Sequence, residues 1–132
     1  MRVFKTPHYT TSLSSEFFFM SLQKMKFKNY ERESRRFLQD DFALTYYTIA
    51  LSGETGEFCN AYKKYLRDCV ARKSDGMTVE QTEELRHELG DVLFYLARCA
   101  EKLGSSLEDI AFKNLAKLKN RYDIWSDNDV SS

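Results

Sequence analysis

Two pairs of acidic residues, whose members are three positions apart in each pair, lie inside stretches whose apolar pattern is that of packed helices. The pairs are Glu54 with Glu57 and Glu88 with Asp91. At 3.6 residues per turn, such residues are neighbours on one helix face. Apolar stripes flank both pairs, so packing the two helices together would gather four carboxylates in one partly enclosed place. A chain that folds this way must compensate these charges, because burying an unpaired carboxylate is costly.

The two apolar stripes follow the helical period. The first comprises Leu51, Phe58, Ala61, Tyr62 and Tyr65, and the second comprises Leu85, Leu89, Val92, Leu93 and Leu96. Tyr95 lies with Glu88 and Asp91 along the edge of the second stripe. A hard cation such as Mg²⁺ would relieve the repulsion among the gathered acids.

Apolar periodicity and a capping residue predict the first two helices, and polar composition predicts the connection after them. We predict a short, charged helix over about 26–38 and a long helix over about 41–67, with Asp40 as its N-cap. Residues 68–77 are polar and read as a connection.

Capping signals define the last two helices. Thr78 and Gln81 fit a capping box, so a third helix is predicted from there to about Leu103, where Gly104 ends it. Ser106 then begins a last helix that extends to Tyr122.

No run of alternating apolar and polar residues, and no hairpin turn signal, indicates a strand. The predicted fold is therefore all-α, with an antiparallel helical bundle as the economical arrangement. The apolar stripes are broad for so few helices, so we expect self-association to complete the bundle.

The two ends of the chain differ in composition from the predicted helical domain, which covers 26–122. Residues 1–25 are rich in Ser and Thr, have no acid before Glu16, and contain the chain's only proline. We interpret them as a disordered extension or as sequence upstream of a later start; a transit-type presequence is the alternative. Residues 123–132 read as a polar C-terminal tail.

Charge and cysteine content exclude several classes of function. Lysine and arginine together number 20, as do aspartate and glutamate, so no overall charge favours a nucleic acid polymer or an acidic membrane surface. The three cysteines form no C-x-x-C pair, and no apolar run approaches the roughly 18–20 residues that span a bilayer. We expect a soluble, cytoplasmic protein.

A row of polar residues on the last helix supports a functional role for the two acid pairs. The spacing of the acids alone would also suit exposed acids or internal salt bridges. Asn114, Lys117 and Arg121 lie along the edge of the last helix. Gly53 and Gly56 each directly precede one acid of the first pair, although each glycine costs a helix about 1 kcal/mol against alanine. Four carboxylates facing a row of cations would suit a Mg²⁺-phosphate complex.

Four blocks of sequence, in this order, resemble the MazG-like nucleotide pyrophosphohydrolases of the all-α NTP pyrophosphatase superfamily. The blocks are SGETGE at 52–57, ELGDVLFYL at 88–96, LGSSLE at 103–108 and NLAKLKNR at 114–121. The mark of that superfamily is E-x-x-E followed by E-x-x-D. The resemblance extends from about Asp41 to Tyr122, and the separation between the two acid pairs is at the long end of the pattern.

The resemblance implies a role for each matching residue. The Mg²⁺ ligands and catalytic residues would be Glu54, Glu57, Glu88 and Asp91, with Mn²⁺ as a possible substitute for Mg²⁺. The substrate-binding residues would be Lys63, Lys64, Tyr95, Asn114, Lys117 and Arg121. It also implies hydrolysis of a (d)NTP to the monophosphate and pyrophosphate by a homodimer or homotetramer. The alternative is a catalytically silent helical bundle that serves as an interaction module.

Overall fold

A computed structural model describes residues 25–73 and 76–122 and contains four helices there. They are α1 (Phe27–Arg35), α2 (Leu44–Arg72), α3 (Val79–Lys102) and α4 (Leu107–Tyr122). No strand occurs in these two ranges, so the all-α prediction is confirmed. The predictions for residues 1–25 and 123–132 lie outside the described residues, apart from Met25. In the described part of the chain, no helix is both long and apolar enough to cross a membrane.

The first two helices begin or end elsewhere than predicted. Helix α1 stops at Arg35 rather than 38, and α2 begins at Leu44 after Ala43, which makes no side-chain cap. The prediction that Asp40 caps this helix is therefore wrong. The neighbouring Asp41 instead forms an ion pair with Lys102 at the end of α3, with 2.6 Å between Oδ1 and Nζ.

Helix α2 continues five residues beyond the predicted end at 67, into the segment predicted as a polar connection. The charged residues there bond along the helix, and Arg72 Nε donates to the Asp68 carbonyl at 3.3 Å. The helix stops at Lys73, whose backbone is left-handed with φ 51°. Charged side chains that satisfy one another on a helix surface are compatible with helix continuation, so the polar composition alone was misleading.

The capping signals of the last two helices are confirmed. The Thr78 hydroxyl accepts from the Gln81 N–H, and the Gln81 side chain accepts from the Thr78 N–H at 3.0 Å. Gly104 ends α3 with φ 66°, and the Ser106 hydroxyl accepts from the Asp109 N–H at 3.1 Å in the first turn of α4.

Helices α2 and α3 pack side by side over much of their length, while α4 contacts α1 and α3. One group of buried side chains consists of Tyr47, Tyr95 and Cys99, and a second consists of Ala97, Ala100 and Leu107. Helix α3 therefore contributes to both groups and runs through the centre of the fold.

The stripe predicted for α3 is only partly correct. Leu85 is buried, but Leu89 and Leu96 are exposed, whereas Tyr95, placed on the acidic edge, is buried. On α2, Tyr62 is exposed as well. In the described chain α2 covers one side of α3, and the side that carries Leu89 receives no comparable cover.

A buried arginine anchors α1 to the rest of the fold. Arg98 of α3 is 1% exposed, and its Nη2 donates to the Glu31 carbonyl at 3.1 Å and to the Ser34 hydroxyl at 3.2 Å. The Glu31 carboxylate accepts in turn from the Leu107 N–H at 2.7 Å. Helix α1 is thus bonded both to α3 and to the first turn of α4.

Candidate metal centre

Three of the four predicted acids come together where α2 crosses α3. Glu54 and Glu57 of α2 and Glu88 of α3 each offer a carboxylate oxygen, and these oxygens all lie within 4.8 Å of one another. Glu54 and Glu88 are half-buried, and Glu57 is exposed. The three-residue spacing puts both α2 acids on the side that faces α3, as the helical period requires.

Asp91 lies beside this group without completing it. Its half-buried carboxylate is one turn after Glu88 on α3, and its charge acts on both Glu54 and Glu88. It is not one of the three residues whose oxygens fall within 4.8 Å of one another. The fourth acid therefore adds negative charge to the centre from its edge.

Burial and neighbouring negative charges disfavour the ionisation of Glu54, Glu88 and Asp91. Burial, followed by the charges of Asp91, Glu57 and Glu88, raises the pKa of Glu54. Burial and then the Glu57 charge raise the pKa of Glu88 and of Asp91. Lys64 opposes the shift at Glu88 and His87 opposes it at Asp91, but neither reverses it.

The donor set suits a hard divalent cation. Three carboxylates, with no His or Cys in the group, offer the oxygen ligands that Mg²⁺ prefers. A divalent cation there would favour the charged form of each acid and remove the repulsion between the helices.

Tyr95 lies in the core next to the acids. Its ring packs with Tyr47 and Cys99. Burial first, and then the proximity of Tyr46, Glu54 and Asp91, raise its pKa. Its side chain therefore supports the acidic centre from within the core rather than lining an open pocket.

Tyr46 is a neighbour of the centre that sequence reasoning missed. It is half-buried on α2, about two turns before Glu54, and its ring stacks on Phe42 with 4.2 Å between ring centroids. The sequence shows that Tyr46 and Glu54 share a side of one helix, but it does not show that Tyr95 of α3 meets Tyr46.

The two lysines after the first acid pair take different positions. Lys64 Nζ lies 3.7 Å from Glu84 Oε1, so it joins α2 to α3 close to Glu88. Lys63 lines a shallow hollow of about 450 Å³ formed by α2, together with Gly53, Gly56 and Glu57. A Cβ atom built on either glycine meets nothing within 4 Å, so no group of the described chain approaches them closely.

The polar row of α4 lies apart from the acids in this chain. Asn114 and Lys117 line a groove of about 520 Å³ whose other walls include Leu93, Leu96 and Phe27. Neither Lys117 nor Arg121 is among the charges that shift the pKa values of Glu54, Glu88 or Asp91. Both basic residues are exposed.

Comparison with known proteins gives one family and one relative. The model of the MazG nucleotide pyrophosphohydrolase domain matches residues 42–124, which include all four acids and the polar row of α4. The "Gene 37 protein" of Mycobacterium phage L5 is 42% identical over 80 residues, which are 61% of this chain and 67% of that protein. No solved structure matches the chain significantly.

Proposed function

The chain belongs to the MazG nucleotide pyrophosphohydrolase domain family, and we propose that it is a Mg²⁺-dependent enzyme that hydrolyses a (d)NTP to the nucleoside monophosphate and pyrophosphate. The observation that carries this proposal is the convergence of Glu54, Glu57 and Glu88, with oxygens within 4.8 Å of one another.

The residues of the centre fit the metal dependence that is typical of the family. When bound, a divalent cation supplies positive charge for the triphosphate and acidifies a coordinated water. The half-buried Glu54 and Glu88 would hold it from two different helices, and Asp91 would support them from the edge. Mg²⁺ is the preferred ion because it is commonly bound by a few carboxylates together with substrate phosphates, and Mn²⁺ would substitute.

The proposal assigns the role of general base to the remaining acid, Glu57. Glu57 is the exposed member of the group and is therefore the one that an incoming water can reach. In the proposed step the water oxygen attacks the α-phosphorus, its proton passes to Glu57, and the bond from the α-phosphorus to pyrophosphate breaks. The half-buried carboxylates of Glu54 and Glu88 would hold the cation, because the packing of α2 on α3 fixes their positions.

Substrate phosphates also need cationic partners, and the proposal assigns Lys117 and Arg121 to them, with Asn114 as a hydrogen-bond donor. Because this row lies apart from the acids of its own chain, we propose that the enzyme works as a homodimer or homotetramer. The exposed Phe112 and Leu115 of α4 would be covered by a second copy. The polar row would then reach the acids of the other subunit.

The proposal gives secondary roles to three other residues, Lys63, Lys64 and Tyr95. Lys63 is exposed beside Glu57 and could reach a substrate phosphate, whereas Lys64 sets the charge near Glu88 and Tyr95 supports the acids from the core. A (d)NTP substrate implies an intracellular protein, with which three free cysteines agree.

The decisive experiment measures pyrophosphate release from a panel of ribo-, deoxyribo- and modified triphosphates, with Mg²⁺, with Mn²⁺ and with EDTA. We expect release that needs the cation and yields a monophosphate, and the panel identifies the base. Glu88→Gln is the matched inactive variant. Folded protein that binds Mg²⁺ tightly yet releases nothing from any triphosphate would contradict the enzyme and favour the interaction module.

A further inference from the structure

The side of α2 that faces away from α3 carries a line of exposed residues, which we call the outer seam. Helix α2 buries Tyr47 and Ala61 on its inner side. The outer seam consists of Ile49, Ser52, Gly56, Cys59, Lys63 and Leu66, all of them exposed in the described chain. Ile49 is 69% exposed and Leu66 is 48% exposed. Large apolar side chains that are exposed along one line of a helix indicate a contact surface.

The outer seam repeats with the period of a coiled coil. Its residues are alternately three and four positions apart, which is the a and d pattern of helices that pack at 3.5 residues per turn. Thr45 and Val70, both exposed, continue the pattern by one position at each end. The spacing therefore favours another helix, rather than a loop or a small ligand, as the occupant of this surface.

The chemistry of the outer seam is the same when it is read from either end. A large apolar residue lies at each end (Ile49, Leu66), a polar residue lies inside it (Ser52, Lys63), and a small residue lies on each side of the centre (Gly56, Cys59). A two-fold axis places the same surface patch of two copies face to face, so such a patch must complement itself. This symmetry favours a second copy of the chain over an unrelated partner.

Charge decides the direction in which two such helices pair. No acid occurs in the outer seam or at the flanking positions 48, 53, 55, 60, 62 and 67, so nothing there compensates the charge of Lys63. In a parallel pair, Lys63 would meet Lys63 of the other copy. In an antiparallel pair it lies level with Ser52 of the other copy, and the two lysines are about 16 Å apart along the axis. That separation exceeds the Debye length of about 8 Å at physiological salt.

We propose that two copies of the chain associate through the outer seam with their α2 helices antiparallel. Gly56 lies opposite Cys59 of the other copy, and Ile49 packs on Leu66 of the other copy. A Cβ atom built on Gly56 meets nothing within 4 Å, and glycine weakens a helix interior relative to alanine, so α2 alone has no need of it. In the pair, the glycine lets the two backbones approach closely. The association is independent of the reaction proposed above.

The test is sedimentation equilibrium of the full chain over a range of concentrations. Gly56→Leu should weaken association by about tenfold or more, because overpacking at the closest contact affects both copies. The same substitution should raise the melting temperature of the dissociated chain, since leucine favours a helix more than glycine does. A chain that stays monomeric at every concentration, or association that is unchanged in Gly56→Leu, overturns the proposal.

Ile49→Lys and Val79→Lys are a matched pair of variants. Val79 is 74% exposed, close to the 69% of Ile49, but it lies at the start of α3 and outside the outer seam. Ile49→Lys should weaken association and Val79→Lys should leave it unchanged. Dissociation by Leu115→Lys, with none by Ile49→Lys, would assign all association to α4 and overturn the proposal. Sedimentation does not depend on turnover, so an inactive protein leaves this result unaffected.

Two further variants test the antiparallel register. Ser52→Glu places a carboxylate opposite Lys63 of the other copy at two symmetric positions, so it should tighten association about fivefold, whereas Ser52→Lys should weaken it. Weakening by both variants would contradict the register and overturn it.

Cysteine cross-linking locates the centre of the pair. In the proposed register the two Cys59 residues are about 5 Å apart along the axis, so a short bismaleimide should join two dilute chains into a covalent dimer. Cys59→Ser should lose this product and Cys69→Ser should keep it. No covalent dimer, or one that requires Cys69, overturns the proposal.

Discussion

Glu57 of α2 and Glu88 of α3 face each other across the contact between the two longest helices, with carboxylate oxygens within 4.8 Å. After burial, the Glu57 charge is the largest cause of the raised pKa of Glu88. Like charges thus oppose each other where the apolar packing of α2 on α3 draws the helices together. The arrangement destabilises the metal-free protein and is relieved by a bound cation.

Replacing Glu88 by glutamine should abolish turnover without unfolding the chain. Loss of a metal ligand should exceed the roughly 10–100-fold loss that is typical of outer-shell partners. The melting temperature should hold or rise, because one charge leaves a repulsive group. Pyrophosphate release and thermal unfolding check the two effects, and Glu80→Gln, on the exposed start of the same helix, is the control. Collapse of the fold in Glu88→Gln would instead make the carboxylate structural.

The stability of the metal-free protein should fall as pH rises through the mildly acidic range. Glu54, Glu88 and Asp91 have pKa values raised from their ordinary values of 4.5, 4.5 and 3.8. The folded chain therefore binds more protons than the unfolded chain just above these values, so its free energy of unfolding decreases with pH there.

Melting temperatures measured in EDTA from about pH 4 upward test this dependence on the carboxyl pKa values. The matched comparison is the triple variant Glu54→Gln, Glu88→Gln, Asp91→Asn, which should lose the decrease. The lowered pKa of Asp41, caused first by its hydrogen bond with Lys102, contributes in the opposite direction in both proteins and cancels in the difference. Identical slopes would show that the acids do not oppose one another.

Divalent cation should stabilise the folded chain by an amount that grows with the logarithm of its concentration above the Kd. At a concentration 100 times its Kd, one bound ion adds about 2.7 kcal/mol to the free energy of unfolding. Thermal unfolding with increasing Mg²⁺, followed by EDTA, measures the gain and its reversal. Glu54→Gln should reduce the gain strongly, whereas Glu108→Gln, an exposed acid of α4, should keep it.

Lys117→Gln should impair turnover but leave stabilisation by Mg²⁺ intact, because Lys117 lies apart from the acids. If the row of α4 acts on the other subunit, mixing Lys117→Gln with Glu88→Gln should restore activity, since mixed dimers contain one site with both groups intact. Steady-state kinetics of each variant and of the refolded mixture provide the measurement, with Lys119→Gln as an exposed control on the same helix. A mixture as inactive as its components would argue that each chain uses its own Lys117.

The sequence by itself determined the features that depend on neighbours along the chain. The pairing of Glu54 with Glu57, the capping box of Thr78 and Gln81, and the stop at Gly104 all follow from distances of three or four residues and from local backbone geometry. Such relations hold for any helix with that sequence, so the all-α fold was predictable. The family motif added which acids to expect together.

Only the tertiary structure decided which helix faces are covered and which distant charges meet. Leu89 is exposed and Tyr95 is buried because α2 packs on one side of α3. The two sides of α3 are similarly hydrophobic, so the sequence does not determine which of them α2 covers. Asp41 forms an ion pair with Lys102, which is 61 positions away in the chain. Arg98 is buried against α1, where it donates a hydrogen bond to Ser34, 64 positions before it. Contacts of this kind depend on how helices pack, and helical periodicity carries no information about the partner across the interface.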